Sequence, residues 1–261
     1  MAVPASFRRW GRTVGTAAAL TLVLLLVDAG AQAQPRGVEK VGRQVALVVG
    51  NGAYVNTPGL PNAPRDAKAM AGALRGLGFE VLEATDLDQR AMLRELANFA
   101  DLLDRAEIGL FFYAGHALQV AGENYLVPVD AKLQREAQLL FQTVPARTVL
   151  HMMEAAVPLR LVLLDACRDN PLAGSLARSM GATRSTAVGR GLARLESGVG
   201  TLIAYATAPG EVAEEGTGGH SPFTAALLEH IGTPGLEVRQ VLSRVRSSVL
   251  KTTDNRQVPW D

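Results

Sequence analysis

The 261-residue chain has one cysteine, Cys167. Counting therefore excludes an intramolecular disulfide, even in an oxidising compartment. The chain also lacks a charge excess: 26 basic and 25 acidic residues leave a formal net charge of +1. That balance offers no basic surface for a phosphate backbone, so no nucleic acid partner is expected. The apolar run at residues 17–27 is 11 residues long, against the ~20 that a helix needs to cross a hydrocarbon core. No stable membrane span is expected. The phosphate-binding pattern G-x-x-x-x-G-K-[ST] is absent, and no internal repeat recurs at a fixed period.

The composition, 48% hydrophobic and 20% charged, suits one globular domain with a real core. The first residues form a separate object. Arg8, Arg9 and Arg12 precede the apolar run, and Ala31-Gln32-Ala33 supplies a small-x-small site. That is the layout of a secretory signal peptide over residues 1–33. The expectation is an exported protein, periplasmic or secreted, with a domain over 34–261. The Arg8-Arg9 pair also fits a twin-arginine export route.

Short β-branched runs alternate with helical patterns. Strands are expected at 44–50, 79–84, 108–113, 159–164 and 201–206, with a shorter one at 124–127. Helices are expected at 66–77, 88–103, 148–156, 221–231 and 236–250; in the second, Met92, Leu93, Leu96, Phe99 and Leu103 form the inner side. Residues 51–64, rich in Gly, Pro and Asn, read as a loop, and 171–198 as a long flexible one. The alternation predicts an α/β fold with a mostly parallel central sheet covered by helices on both faces. Such sheets carry their working residues just beyond the carboxyl ends of the strands.

Two chemically useful residues fall there. The third main strand runs into Tyr113-Ala-Gly-His116, and the fourth into Asp165-Ala-Cys167. Of the four histidines only His116 abuts a strand end; His151 and His230 lie in helical segments, and His220 in a loop open to a substrate contact. A thiolate is the attacking species of a cysteine enzyme, and an imidazole within reach forms it and later protonates the leaving amine. Backbone N–H groups of Ala117 and Cys167 are the natural donors to the oxyanion. Alone, the pairing leaves open a buried, inert thiol.

Larger patterns close that gap. Caspases carry Q-A-C-[RQG]-G with the histidine about 50 residues upstream; here His116 precedes Cys167 by 51 residues, and the nucleophile sits in Asp165-Ala-Cys-Arg-Asp169. Ala46-Leu-Val-Val-Gly-Asn51, Phe112-Tyr-Ala-Gly-His116, Glu123-Asn-Tyr-Leu-Val-Pro-Val-Asp130, Leu163-Leu-Asp-Ala-Cys-Arg-Asp-Asn-Pro171 and residues 200–210 follow in order. Ser221-Pro-Phe-Thr224 and Gln257-Val-Pro-Trp260 extend the series. The chain thus resembles the caspase/metacaspase clan, in particular the bacterial caspase-like cysteine peptidases (peptidase family C14). The resemblance covers nearly all of residues 44–260. It implies a caspase-like three-layer fold and a cysteine-type endopeptidase acting on protein or peptide substrates through Cys167 and His116, by way of an acyl-enzyme. One departure is Ala117, where the family usually has glycine; alanine keeps the N–H but loses easy access to positive φ.

The resemblance also bears on which bond is cut. Asp-specific caspases carry Gln two residues before the nucleophile, where this chain has Asp165. Metacaspases pair the equivalent of Asp165 with an Asp in a motif similar to Arg65-Asp66-Ala67. Glu211, Glu214 and Glu215 follow Pro209-Gly210, where those caspases carry an Arg. A carboxylate pocket of Asp165, Asp66 and Glu215 implies cleavage after Arg or Lys. Asp66 also fits a helix N-terminal acid, and Asp165 an ordinary strand-end polar residue. With Arg178, Arg184, Arg190 and Arg194 downstream of the nucleophile, such an enzyme can process itself. No cofactor and no protein-bound metal are expected. Metacaspases often depend on calcium, so calcium activation enters with the resemblance, but no EF-hand spacing names a ligand set.

Two other readings compete. Val49-Gly-Asn-Gly52 superficially resembles a dinucleotide loop, but the third Gly is replaced by Val55 and a proline-rich loop follows instead of a helix. A catalytically weak or inactive caspase-like binding or regulatory module is the non-enzyme alternative, supported by Ala117.

Overall fold

Gln44–Gly50 is a run without a charge and forms strand β1, buried from Val45 onward. This computed structural model describes residues 42–166, 171–180, 188–189 and 191–261; Cys167, Arg184 and Arg190 lie outside them. The strands that follow are β2 (Glu80–Thr85), β3 (Ile108–Ala114), β4 (Ala117–Val120), β5 (Glu123–Leu126), β6 (Val144–Pro145), β7 (Leu159–Asp165), β8 (Val188–Gly189) and β9 (Thr201–Tyr205). The helices are α1 (Ala63–Gly76), α2 (Gln89–Leu103), α3 (Leu139–Gln142), α4 (Ala146–Ala156), α5 (Pro171–Met180), α6 (Pro222–His230) and α7 (Val238–Thr252).

The central sheet has the order β2-β1-β3-β7-β9, and every pair in it is parallel. The chain steps from β1 outward to β2 through α1, then back across β1 to β3 through α2. Right-handed crossovers in opposite directions place the two helices on opposite faces. Accordingly α1 packs with α6 and α6 with α7, while α2 packs with α4. The core between these layers runs from Val45–Val49 through Phe111, Phe112 and Leu163 to Met70, Phe99, Phe223 and Val245. The expected α/β architecture therefore stands. Within α2 the inner stripe is Met92, Leu96, Phe99 and Leu103. Leu93, expected inward, is 50% exposed because it lies about 100° around the helix from Met92.

Helix α1 starts earlier than the 66–77 expected, because Pro64 occupies its first turn, where a missing N–H costs nothing. Gly50 allows that start: a Cβ there would lie 2.3 Å from the Ala63 carbonyl oxygen. Strand and helix can meet this closely only without a side chain.

A second, antiparallel sheet, β6-β5-β4-β8, stands beyond β3. Residues 171–198, expected as one long flexible loop, include helix α5 and strand β8. The correction has a physical cause. Leu172 and Leu176, one turn apart, pack on Leu118, Val120, Val127, Leu133 and Leu139 of the small sheet region. That second core compensates for Gly174 and Ser175 in the helix.

Candidate active site

The site is built on the register of two neighbouring strands. Ala114, the last residue of β3, pairs with Asp165, the last of β7, and Gly115 N–H donates to the Asp165 carbonyl at 3.3 Å. His116 is two residues beyond Ala114, and Cys167 two residues beyond Asp165 in the sequence. Cys167 itself lies outside the described residues.

His116 is 2% exposed, held between the β3–β4 turn and the loop that follows β1. Its Nε2 is 2.9 Å from the Pro58 carbonyl oxygen. A carbonyl only accepts, so Nε2 carries the proton and Nδ1 is the basic atom of the neutral ring. Backbone contacts fix the ring from behind. His116 N–H donates to the Tyr54 hydroxyl at 2.7 Å, and the Tyr54 ring lies against the imidazole with centroids 4.5 Å apart. The Tyr113 hydroxyl donates to the carbonyls of His116 (2.8 Å) and Val127 (3.1 Å). Burial pushes the Tyr113 phenol well above the usual tyrosine range, outweighing the opposing effect of the Tyr54 hydroxyl beside it. Gly115 is required here, since a Cβ would lie 2.7 Å and 2.8 Å from the two tyrosine hydroxyls.

Ala117 opens β4 opposite Leu126. Val127 N–H donates to the His116 carbonyl, which makes Ala117–Leu126 a pair whose own amides point away from each other. The Ala117 N–H is thus turned out of the hairpin. Ala117 is not among the residues at positive φ, so this backbone gives alanine no strain.

The expected acidic residues meet at the start of α6. Asp165 and Asp66 are both fully buried. Ser221 joins them: its hydroxyl donates to Asp165 Oδ2, and its backbone N–H lies 3.3 Å from Asp66 Oδ2. Thr224 Oγ1 donates to the same Asp165 oxygen at 2.7 Å. Asp66 also contacts His220, Nδ1 to Oδ1, at 2.7 Å. The three glutamates serve differently. Glu215 Oε1 accepts the Asn62 N–H at 2.9 Å, and Asn62 Nδ2 returns a bond to the Glu215 carbonyl, so Glu215 braces the residue before α1. Glu214 pairs with Arg256 at 2.5 Å, and Glu211 is exposed.

Sequence reading names Asp66 and Asp165 but not the groups that organise them. Ser221 and Thr224 are legible only as part of a motif. Tyr54 and the Pro58 carbonyl carry no distinctive pattern. Among the described residues no group of three or more His, Cys, Asp and Glu is placed to hold a metal ion. No helix among the described residues is long and apolar enough to cross a membrane. An apolar groove of about 610 Å3, lined by Leu74, Ile108, Leu161 and Leu242, sits at the opposite end of the sheet, where parallel sheets do not place their chemistry.

A parallel five-stranded sheet with His116 beyond the end of one strand and a buried carboxylate at the end of its neighbour is an α/β domain with polar groups gathered at its carboxyl edge. Residues 43–261 match the family model of the caspase domain, peptidase C14, and the chain belongs to that family. The human mucosa-associated lymphoid tissue lymphoma translocation protein 1 and its mouse homolog are each 33% identical to it over 126 residues. That match covers 48% of this chain and 15% of each relative. The chain spans only a small part of the length of those relatives.

Proposed function

We propose that the chain is an exported cysteine endopeptidase that cuts after Arg or Lys, with Cys167 as nucleophile and His116 as base. The observation that carries the reading is His116. It is buried, its Nε2 proton is committed to the Pro58 carbonyl, and the strand register sets it two residues past a position paired with one two residues before Cys167.

In this mechanism Nδ1 takes the thiol proton and the thiolate adds to the scissile carbonyl. The Ala117 and Cys167 N–H groups receive the oxyanion. The imidazolium then protonates the leaving amine, and the thioester is hydrolysed by water that His116 deprotonates. Asp66 and Asp165 form the acidic floor for the substrate residue before the cut (P1), with Glu215 holding the start of α1 in place. A bound guanidinium would exchange water for two carboxylates in a shielded hollow, which favours Arg and Lys and repels Asp. The inactive-module reading rested on Ala117, and its backbone gives that reading no support.

Fluorogenic peptides with Arg, Lys or Asp at P1, assayed on the wild type and on Cys167→Ala with and without calcium, test the proposal. Hydrolysis of the Arg and Lys peptides by the wild type alone is expected. No hydrolysis together with no thiol labelling of Cys167 would return the domain to a binding role, and preference for Asp would overturn the basic specificity.

A further inference from the structure

Among the described residues, His220 sets an imidazole against one of the buried acids. Its Nδ1 is 2.7 Å from Asp66 Oδ1, and its side chain is 36% exposed against 0% for Asp66. It ends the stretch Gly216-Thr-Gly-Gly219, in which Gly216 and Gly219 have φ of 77° and 89° and Gly218 and Gly219 face open space. Ser221, the next residue, is fixed as the N-cap of α6. The imidazole therefore hangs from a glycine-rich arm over a carboxylate that cannot move with it.

The surrounding charges have other attachments. Arg65 on α1 donates to Asn62 Oδ1. From its own loop Glu214 and Glu215, from α6 Glu229, and from the C-terminal turn Arg256 line the same hollow as His220. Arg256 is tied to Glu214, and Glu215 to the Asn62 N–H. Asp165 lies across Ser221.

We propose that His220 is a specificity-tuning residue: it is the resident counter-cation of Asp66, and a basic P1 side chain and a proton on His220 exclude one another. The inference rests on the reading of Asp66 and Asp165 as the floor of the P1 pocket. A neutral imidazole still donates a hydrogen bond to Asp66 but adds no charge, and an incoming guanidinium then meets two carboxylates. A protonated imidazole cancels one of them. Binding of a basic ligand must then release the proton, so affinity falls as pH drops through the imidazole titration.

Agmatine, an arginine mimic without a scissile bond, reads this without the titration of the catalytic dyad. Its binding to the full chain is measured by calorimetry at pH 5.5, 6.5 and 7.5, for the wild type, His220→Asn and His220→Gln. The wild type is expected to lose about 3- to 10-fold in affinity from pH 7.5 to 5.5, below the limit of ten per pH unit because His220 is partly solvated. Both variants should change less than about 2-fold. Titration of the wild type in buffers of different ionisation enthalpy should show proton release on binding, a readout that needs no variant to fold. Parallel profiles in the three proteins, or no proton release, overturn the role of His220 and leave the basic pocket standing. No binding by any protein at any pH overturns the pocket and this inference together.

Discussion

Replacing Ser221 by alanine removes one hydroxyl and two interactions. Oγ donates to the buried Asp165 carboxylate and accepts the Thr224 N–H at 2.9 Å as the N-cap of α6. Loss of such a cap costs about 1 kcal/mol, and loss of a hydrogen bond to a buried charge about 1.5–3 kcal/mol. Thr224 Oγ1 remains on the same carboxylate oxygen, which favours the lower part of that range. The expected total is about 3 kcal/mol, or a fall in Tm of roughly 6–12 °C for a domain of this size. Urea unfolding of Ser221→Ala, Asp165→Asn and the double variant separates the two parts. In the Asp165→Asn background the hydroxyl meets a neutral amide, so the cost of Ser221→Ala should shrink toward the cap alone, leaving a coupling of about 1–2 kcal/mol. Strict additivity would refute the claim that Ser221 supports the Asp165 charge, and a Tm shift below about 2 °C would refute both parts.

Two further perturbations address the surroundings of His116 and the region after Cys167. Burial raises the folded-state pKa of Tyr113, so its stabilising contribution is complete below the unfolded value of about 10 and is lost as pH rises above it, at up to ~1.4 kcal/mol per unit. Urea midpoints between pH 8 and 11 should fall more steeply for the wild type than for Tyr113→Phe; Tyr125, raised by partial burial and by Glu123 and Glu136, contributes equally to both. Equal slopes would show that Tyr113 gives up its proton as readily in the folded state as in the unfolded one. For self-processing, Arg178 lies inside α5, and Arg194 stacks over Trp260 between Ala193 and Leu195, whose N–H groups donate to Asn124 and the Tyr205 hydroxyl. A protease needs extended, unpaired backbone, so self-processing should spare Arg178 and Arg194, and its cuts should be absent from Cys167→Ala. Mass spectrometry of the fragments decides, and cuts shared by both proteins exclude self-processing.

The middle of the central sheet was legible because β1 and β3 are continuous apolar runs, and a strand buried on both faces has no other way to look. The hairpin β4–β5 was half hidden. Its two-residue turn is Ala121-Gly122, at φ of 52° and 84°; such turns are usually announced by Asn-Gly or Asp-Gly, and alanine gives no such signal. Helix α5 was lost to its glycine and serine, although Leu172 and Leu176 already held the right spacing. In the site, the letters that name charge were readable: His116, Cys167, Asp66 and Asp165. The Pro58 carbonyl was not, because a backbone acceptor is the same atom in every residue. Neither were Ser221 and Thr224, whose importance comes from lying against an aspartate 56 and 59 positions away in the chain.

The segment from 51 to 62 looks from its composition like a simple connection, yet it supplies both halves of the site. Tyr54 and Pro58 fix His116, and Asn62 links Glu215 to the first turn of α1, where Asp66 stands. The segment is itself held at both ends. Asn51 bonds the backbone of Leu87 and Val127, and the Gly52 and Ala53 N–H groups both reach Asp86 Oδ1 at 2.8 Å. Leu60 N–H closes back on the Gly52 carbonyl at 2.9 Å. A loop satisfied in this way behaves as part of the scaffold. His116, the proposed base, and Asp66, proposed to select the substrate, are therefore positioned by one short piece of chain. Their geometries cannot drift apart without breaking hydrogen bonds in between, and that ties the choice of substrate to the placement of the chemistry.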